Sequence, residues 1–420
     1  MKRILIIAEQ YYPLMVPGAF RVASFARYLP QFGFEPILLV PNWNQSNAKF
    51  SEHGCDGAYI EGSDRESPCQ THRYKITEKK GSRIVHQFKS LFRPTFPRKH
   101  DAASAVKAAN TLFKQTPFDA IIGSGQPHFV WCAAKTLSAE CDVPWIADVR
   151  DVTDQVQGHD NNPVFIRIAK SLLNYRHRYF KQESRLLSSA SLIVTVSDGL
   201  RDLLMDRGLR NVHVIMNGFD EEDYNVDPFA FEKFVVLHAG SVYPFHYPTV
   251  FLDAVDILVA ERPDIAREME IKFYGNGELV RSELVGRASS ALTTIYGTIP
   301  KRDVVPLMMG AHVLLHFSTP GSKGYMTSKL TEYIAAGRPI LTVPGDGDVV
   351  DQVLKHTGSG VSCGTAEQVK AFLVEQWDMW KRGTSSQYVT NPAAKGQYSR
   401  RTQCKELANL LTPVLCSSES

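Results

Sequence analysis

The chain has 420 residues, with 47 Lys plus Arg against 44 Asp plus Glu, a formal net charge of +3, 44% hydrophobic and 10% aromatic content. That composition excludes disorder and collagen-like repetition, and the length favours two domains over one oversized core. The small net charge excludes a polyanion as partner of the whole molecule. Seven scattered cysteines (Cys55, Cys69, Cys132, Cys141, Cys363, Cys404 and Cys416) lack C-x-x-C or metal-ligand spacing, so neither a disulfide framework nor a zinc site is expected. The apolar run before Glu9 is too short for a signal peptide, and no charge-free stretch is long enough to span a membrane. A cytoplasmic location is the expectation.

Short apolar runs alternate with helix-period segments, the pattern of parallel sheets built through right-handed crossovers, so an α/β fold is expected. In the first half the expected strands are Arg3 to Ala8, Pro36 to Val40, Ala120 to Gly123, Trp145 to Asp148, Leu192 to Ser197 and Val212 to Met216. In the second half they are Val235 to Ala239, Glu270 to Tyr274, Leu292 to Tyr296, Val313 to Phe317 and Ile340 to Val343. Each half reads as a doubly wound unit, joined by the acidic, patternless stretch 219–233. A basic insertion at 71–101 interrupts the first unit, with Arg73, Lys75, Lys79, Lys80, Arg83, Lys89, Arg93, Arg98 and Lys99 against Glu78. From Val164 onwards, Phe165, Ile168, Leu172, Tyr175 and Tyr179 recur at helical spacing among basic residues. That helix either packs on the first domain or lies on an anionic membrane surface. No nucleic-acid-binding module accompanies the basic insertion.

Several chemistries have no foothold: there is no G-x-S-x-G, no H-E-x-x-H and no P-loop lysine motif. The loop after the first strand holds Gly18 in place of a G-x-G-x-x-G fingerprint, so hydride transfer is not expected. What Gly18 does offer is close backbone approach to an anion where a helix opens near Ala19. The densest stretch runs from Ser318 to Ile340: a glycine- and hydroxyl-rich loop (Ser322, Lys323, Gly324) leads into a helix at Ser328, Lys329, Leu330 and Glu332, stopped by Gly337. Helix amides and Lys329 suit a phosphate, and Glu332 suits a ribose diol. The alternative is that Glu332 only supports the helix. Asp346-Gly-Asp348 has the composition of a turn, and no metal is expected there.

The pattern S-K-L-x-E-Y-x-x-x-G-x-P resembles the donor-site signature of GT-B glycosyltransferases, in particular the retaining family 4. Val194 to Leu200, Val214 to Asp220, His238-Ala-Gly240-Ser241, Tyr274 to Gly277 and Tyr296-Gly297 are similar to further family segments in the same order. Asp148-Val-Arg150-Asp151 resembles a D-x-R-D segment of a subset associated with cell-surface polysaccharides. The resemblance implies two Rossmann-like domains facing across a cleft: an acceptor domain at 1–228, a nucleotide-sugar donor domain at 229–396, and a C-terminal helix within 397–420 crossing back to the first. It further implies a nucleotide-diphosphate sugar as co-substrate (a UDP-sugar first), no cofactor, and a saccharide or lipid-linked acceptor.

Three departures accompany the resemblance. The carboxylate that the family often places eight positions before Glu332 is Gly324 here. The Arg and Lys common in the loop after the first C-terminal strand are missing, leaving His246 as the one possible cation in Gly240-Ser-Val-Tyr-Pro-Phe-His246. The D-x-R-D segment continues as Val-Thr-Asp154 instead of Pro-Trp. The expected reaction is sugar transfer with retention and without metal. Lys329 and Lys323 stabilise the leaving diphosphate; Gly240, Ser241, Tyr296 and Gly297 line the donor. His128, Arg150 and Asp151 position the acceptor; the alternative is that Asp148, Arg150 and Asp151 form a buried ion pair that only braces a loop and that His128 is structural. Two rivals share these motifs: a nucleotide-sugar 2-epimerase, and a catalytically silent partner in polysaccharide assembly.

Overall fold

The computed structural model describes residues 1–14, 16–43, 68–75, 99–125, 128–152, 175–243, 245–321 and 324–416. Two compact units emerge, Met1–Met216 with Arg400–Ser420, and Asn217–Ser399. The division falls earlier than the boundary at 228 expected from the sequence.

Unit 1 is built on seven parallel strands: β1 (Lys2–Ala8), β2 (Phe34–Pro41), β3 (Thr71–Tyr74), β4 (Ala120–Ser124), β5 (Trp145–Val149), β6 (Leu192–Thr195) and β7 (Val212–Val214), in the order β3-β2-β1-β4-β5-β6-β7. Helices α1 (Pro17–Tyr28), α2 (Lys99–Gln115), α3 (Phe129–Cys141), α4 (Tyr175–Leu187) and α5 (Asp198–Asp206) connect them. The unbroken apolar run of β1 follows from burial on both faces. Ile4, Ile6 and Ala8 join the cluster of Val22, Phe25 and Ala26 on α1, while Leu5 and Ile7 point to Ala105 and Ala109 of α2 and Trp131 of α3.

Unit 2 repeats the plan with six parallel strands in the order β10-β9-β8-β11-β12-β13. They are β8 (Phe234–Ala239), β9 (Met269–Tyr274), β10 (Thr293–Tyr296), β11 (Val313–His316), β12 (Ile340–Thr342) and β13 (Gly360–Ser362). Around them lie α6 (Thr249–Glu261), α7 (Pro263–Glu268), α8 (Glu278–Glu283), α9 (Lys301–Gly310), α10 (Ser328–Ala336), α11 (Val349–Thr357), α12 (Ala366–Lys381) and α13 (Pro392–Gln397). Phe251, Leu252 and Leu258 of α6 and Phe372 and Leu373 of α12 cover one face of this sheet. The chain then rejoins unit 1 as α14 (Arg400–Cys416), whose Cys404, Leu407, Leu411 and Leu415 complete the cluster of Ile4, Ile6 and α1.

The doubly wound α/β expectation is met in both units. Two strands were not expected, β3 and β13. Both lie at sheet edges, and in β3 only Tyr74 is buried, so no apolar run marks them. Most of the basic insertion at 71–101, and the helical pattern from Val164 as far as Asn174, lie outside the described residues. Among the described residues no helix is long and apolar enough to cross a membrane.

Candidate functional sites

Parallel α/β sheets gather polar side chains at the carboxyl ends of their strands, where loops lead into helices. Unit 1 does so around Asp148. The Arg21 side chain of α1 donates from Nε to both Asp148 oxygens at 3.1 Å and from Nη2 to Oδ1 at 2.9 Å, while Nη1 reaches the Met216 carbonyl. Ser124 Oγ adds a bond to Asp148 Oδ2 at 2.6 Å. With Arg21 4% and Asp148 0% exposed, this is a buried bidentate pair that ties α1 to β5. The Asp148 carboxylate is therefore engaged within the fold, while exposed Asp151 follows it at the strand end.

Arg150 takes the place where an anion was expected. A Cβ on Gly18 falls 1.7 Å from Arg150 Nη1, and one on Gly125, whose φ is +78°, falls 1.8 Å from Nη2. The two glycines thus form a slot for the guanidinium, and Gly18 serves Arg150 before any ligand. Arg150 Nη1 donates to Gln10 Oε1 at 3.1 Å, and its buried Nε has no partner. Burial pushes its pKa below the usual arginine value, against the pull of Asp148 and Asp151.

His128 is held at both ring nitrogens: Nε2 lies 2.7 Å from Glu183 Oε1 and Nδ1 lies 3.1 Å from the Tyr179 hydroxyl. Glu183 also accepts from Arg207 Nη1 at 2.8 Å. Its side chain is 3% exposed and Glu183 is wholly buried, so this imidazole braces α4 against α3 and lacks the free nitrogen that proton transfer to an acceptor requires.

In unit 2 the candidates converge on the amino end of α10. Thr327 is its N-cap in geometry, yet its hydroxyl turns to His316 Nε2 at 3.2 Å and caps no amide. The amides of Ser328 and Lys329 have no partner among the described residues, whereas Leu330 N–H donates to the Thr327 carbonyl at 3.2 Å. Leu330, fully buried, anchors the helix and offers no side-chain polar group, which corrects its place among donor-binding residues. The Gly324 amide is likewise engaged, donating to Asp348 Oδ2 at 2.6 Å. Ser322 and Lys323 lie outside the described residues.

Lys329 reaches back across the loop that follows β8, and Nζ donates to the Ser241 carbonyl at 2.7 Å. Gly240 permits this: its φ is +127° and a Cβ there falls 2.2 Å from Lys329 Cε. Burial lowers the Lys329 pKa to about 8. An ammonium carries three donors, so two N–H bonds remain for a ligand. The loop itself is pinned, Gly240 N–H donating to the Tyr274 carbonyl at 2.6 Å and Val242 N–H to the Asn276 carbonyl at 2.9 Å. Three buried imidazoles surround it, His238, His246 and His316. Desolvation, reinforced by the Lys329 charge, holds His246 and His316 at a pKa of about 3 and His238 well below its ordinary value. The expectation of His246 as a cation is thereby corrected: it is neutral at physiological pH.

Glu332, one turn further along α10, has partners that the sequence did not announce. Lys301 Nζ donates to Oε1 at 2.8 Å and to Asp223 at 2.8 Å, and the Tyr224 hydroxyl bonds Oε2. A carboxylate has about four acceptor sites, so these partners orient Glu332 and leave room for a diol. Tyr296, 36% exposed, stacks on Tyr274 with centroids 4.6 Å apart and planes 8° from parallel, while Gly297 beside it faces open space. Asp346 accepts from the amides of Asp348, Val350 and Asp351, the work of a turn and helix cap at the start of α11.

No curated protein sequence matches the chain. The structure of Anabaena Alr3699/HepE in complex with UDP-glucose is similar at 13% identity with a TM-score of 0.63, covering 98% of this chain and 100% of that one. Sucrose-phosphate synthase of Thermosynechococcus elongatus is similar at 11% identity and a TM-score of 0.62, over 99% of this chain and 100% of that one. A protein assigned as a UDP-N-acetylglucosamine 2-epimerase, from Listeria monocytogenes, follows at 10% identity and 0.56, over 98% and 95%. These likenesses carry the fold, which is that of the GT-B glycosyltransferases. Residues 18–223, a stretch that takes in the greater part of unit 1, match the family described as Glycosyltransferase Family 4.

Proposed function

We propose that the protein transfers a sugar from a nucleoside-diphosphate donor to a hydroxyl acceptor, with retention and without a metal or resident cofactor. The observation that carries the reading is the amino end of α10, where the half-buried Lys329 ammonium, with one N–H bonded to the Ser241 carbonyl, stands beside the amides of Ser328 and Lys329, which have no partner among the described residues. Amides and a cation fixed before the reaction stabilise the charge that grows on a departing diphosphate. Glu332, oriented by Lys301 and Tyr224, holds the ribose, and Tyr296 offers a ring face to the base. Ser241 and Gly240 complete the phosphate side. Arg150 and Asp151 position the acceptor hydroxyl, whose proton leaves to the departing phosphate oxygen. The acceptor is a saccharide, free or lipid-linked, and the UDP-glucose complex of the Anabaena protein makes a UDP-sugar the first donor to try.

The test offers UDP-, GDP-, ADP- and dTDP-sugars in EDTA, with and without a panel of saccharide acceptors, and follows nucleotide release and the anomeric configuration of the product by NMR. Acceptor-dependent release of one nucleotide with retained configuration is expected. A donor converted to its C2 epimer, without transfer, establishes the epimerase in its place. Donor binding without either reaction establishes a silent binding protein, and inactivity restored by Mg²⁺ overturns the metal-free mechanism.

A further inference from the structure

Three imidazoles, His238, His246 and His316, are buried around the loop after β8 and the Lys329 side chain that bonds it. Hydrogen bonding separates the three. His316 has both nitrogens engaged, Nε2 with the Thr327 hydroxyl at 3.2 Å and Nδ1 with the Thr342 hydroxyl at 3.3 Å. His238 donates from Nδ1 to the Leu315 carbonyl at 2.8 Å, so in the neutral ring its Nε2 is a bare lone pair that repels a phosphate oxygen. In His246 the pattern is reversed. Tyr243 N–H donates into Nδ1 at 3.2 Å, which makes Nδ1 the acceptor and leaves the proton on Nε2. That Nε2 is buried and has no partner among the described residues, and His246 as a residue is 2% exposed.

Resting on the donor-site reading above, we infer that the Nε2–H of His246 donates a hydrogen bond to the diphosphate of the bound donor, the neutral replacement for the absent cation. The group is fixed in advance. His246 N–H returns a bond to the Tyr243 carbonyl at 2.9 Å, closing a small ring with the Tyr243-to-Nδ1 bond. The imidazole stands edge-on to Phe245 at 4.8 Å between centroids and lies along Phe317 at 6.0 Å. Lys329 Nζ stands 6.0 Å from the centre of the Tyr243 ring, and that ring meets the His246 imidazole edge-on at 5.7 Å, which places His246 beside the amino end of α10. A buried donor left unpaired in a pinned loop is the kind of group that a ligand satisfies, and a donor held still costs no reorganisation when charge develops. A neutral donor also suits this position: a second cation next to desolvated Lys329 would depress both.

The experiment compares the parent with His246→Phe, which keeps the aromatic packing and removes the donor, and with His246→Gln, which restores an N–H. Calorimetry measures UDP, GDP, ADP and dTDP, each against its nucleoside. The parent is expected to bind one diphosphate; His246→Phe to bind it about 10-fold or more weakly, with nucleoside affinity unchanged; and His246→Gln to recover part of the loss. In turnover, kcat of His246→Phe is expected to fall on the order of 100-fold, the size found for one lost donor to a developing anion. Equal diphosphate affinity in parent and His246→Phe overturns this inference and leaves the donor site standing, whereas a parent that binds none of the four overturns both. Should His246→Phe not fold, ¹H–¹⁵N NMR of the parent reads the same question: the Nε2 proton of His246 moves downfield on adding the diphosphate, and an unmoved proton overturns the inference.

Discussion

Lys329 is the residue whose replacement separates stability from binding. Its pKa falls from 10.5 to about 8 because burial disfavours the ammonium, a difference of about 3 kcal/mol at 1.36 kcal/mol per unit. The fold carries that cost below pH 8, where Lys329 is charged. Between about pH 8 and 10.5 the unfolded chain holds a proton that the folded chain has lost, so the stability of the parent rises with pH across that window. Lys329→Met removes the charge at similar volume and forfeits only the bond to the Ser241 carbonyl, worth about 1 kcal/mol. The unliganded variant is therefore expected to be more stable than the parent by about 2 kcal/mol at pH 7, a gain that vanishes by pH 10.5. The same change strips a charge-assisted contact from the diphosphate, about 1.5 to 3 kcal/mol, or roughly 10- to 150-fold in affinity. Urea unfolding at pH 7 and pH 10 gives the first quantity, and calorimetric titration with the nucleoside diphosphate gives the second. A variant less stable than the parent at pH 7 refutes the desolvation argument; one that binds the diphosphate as well as the parent refutes the site.

Gly240→Ala sets a methyl group against Lys329 Cε at a positive φ, and a loss of about 1 to 3 kcal/mol in thermal unfolding together with weakened donor binding is expected; unchanged affinity dissociates the glycine from the lysine's placement. Asp148→Asn leaves Arg21 buried beside a neutral partner and is expected to destabilise unit 1 by about 3 to 5 kcal/mol in urea, with a loss below 1 kcal/mol counting against a structural pair. Four histidines of unit 2 titrate below their usual 6.5: His246 and His316 near 3, His312 near 4, and His238 lower than its ordinary value. Their folded forms stay neutral where the unfolded chain takes up protons, so stability is fully present above about pH 6.5 and is lost as pH falls towards 3. The loss approaches about 1.4 kcal/mol per pH unit for each. Unfolding midpoints that do not move between pH 7 and pH 4.5 contradict this.

The sequence announces whatever burial on two faces requires. Ile4 to Ile7, Val235 to Leu237 and Val313 to Leu315 read as strands because both faces of these sheets are covered, and the topology follows from parallel pairing. Thr71–Tyr74 carries no such mark, since its residues are mixed and only Tyr74 is buried. The cluster at the start of α10 was legible for a similar reason: Ser328, Lys329 and Glu332 lie within five residues of one helix, so spacing alone sets them on adjoining turns. What escaped was every partner distant in the chain. Lys301 and Tyr224 at Glu332, Arg21 at Asp148 and Glu183 at His128 come together only through tertiary packing. Protonation escaped for another reason. The sequence offers His246 as a possible cation, and its burial beside Lys329 keeps the imidazole neutral down to a pKa of about 3.

The return of the chain to unit 1 at Arg400 bears on its biosynthesis. Unit 2 is encoded as an insertion between the seventh strand of unit 1 and the helix that covers the apolar row Ile4, Ile6 and Ala8. A ribosome therefore synthesises all of unit 2 before the residues that seal unit 1 exist, and the earlier-made sheet waits with one oily side only part covered, by α1, while the later-made one has everything it needs to fold. Assembly by domains in order of synthesis is inverted at the final step. A fragment ending at Met216 retains every strand of its sheet and lacks its last wall, so split expression of the two units calls for supplying residues 400–416 to the first.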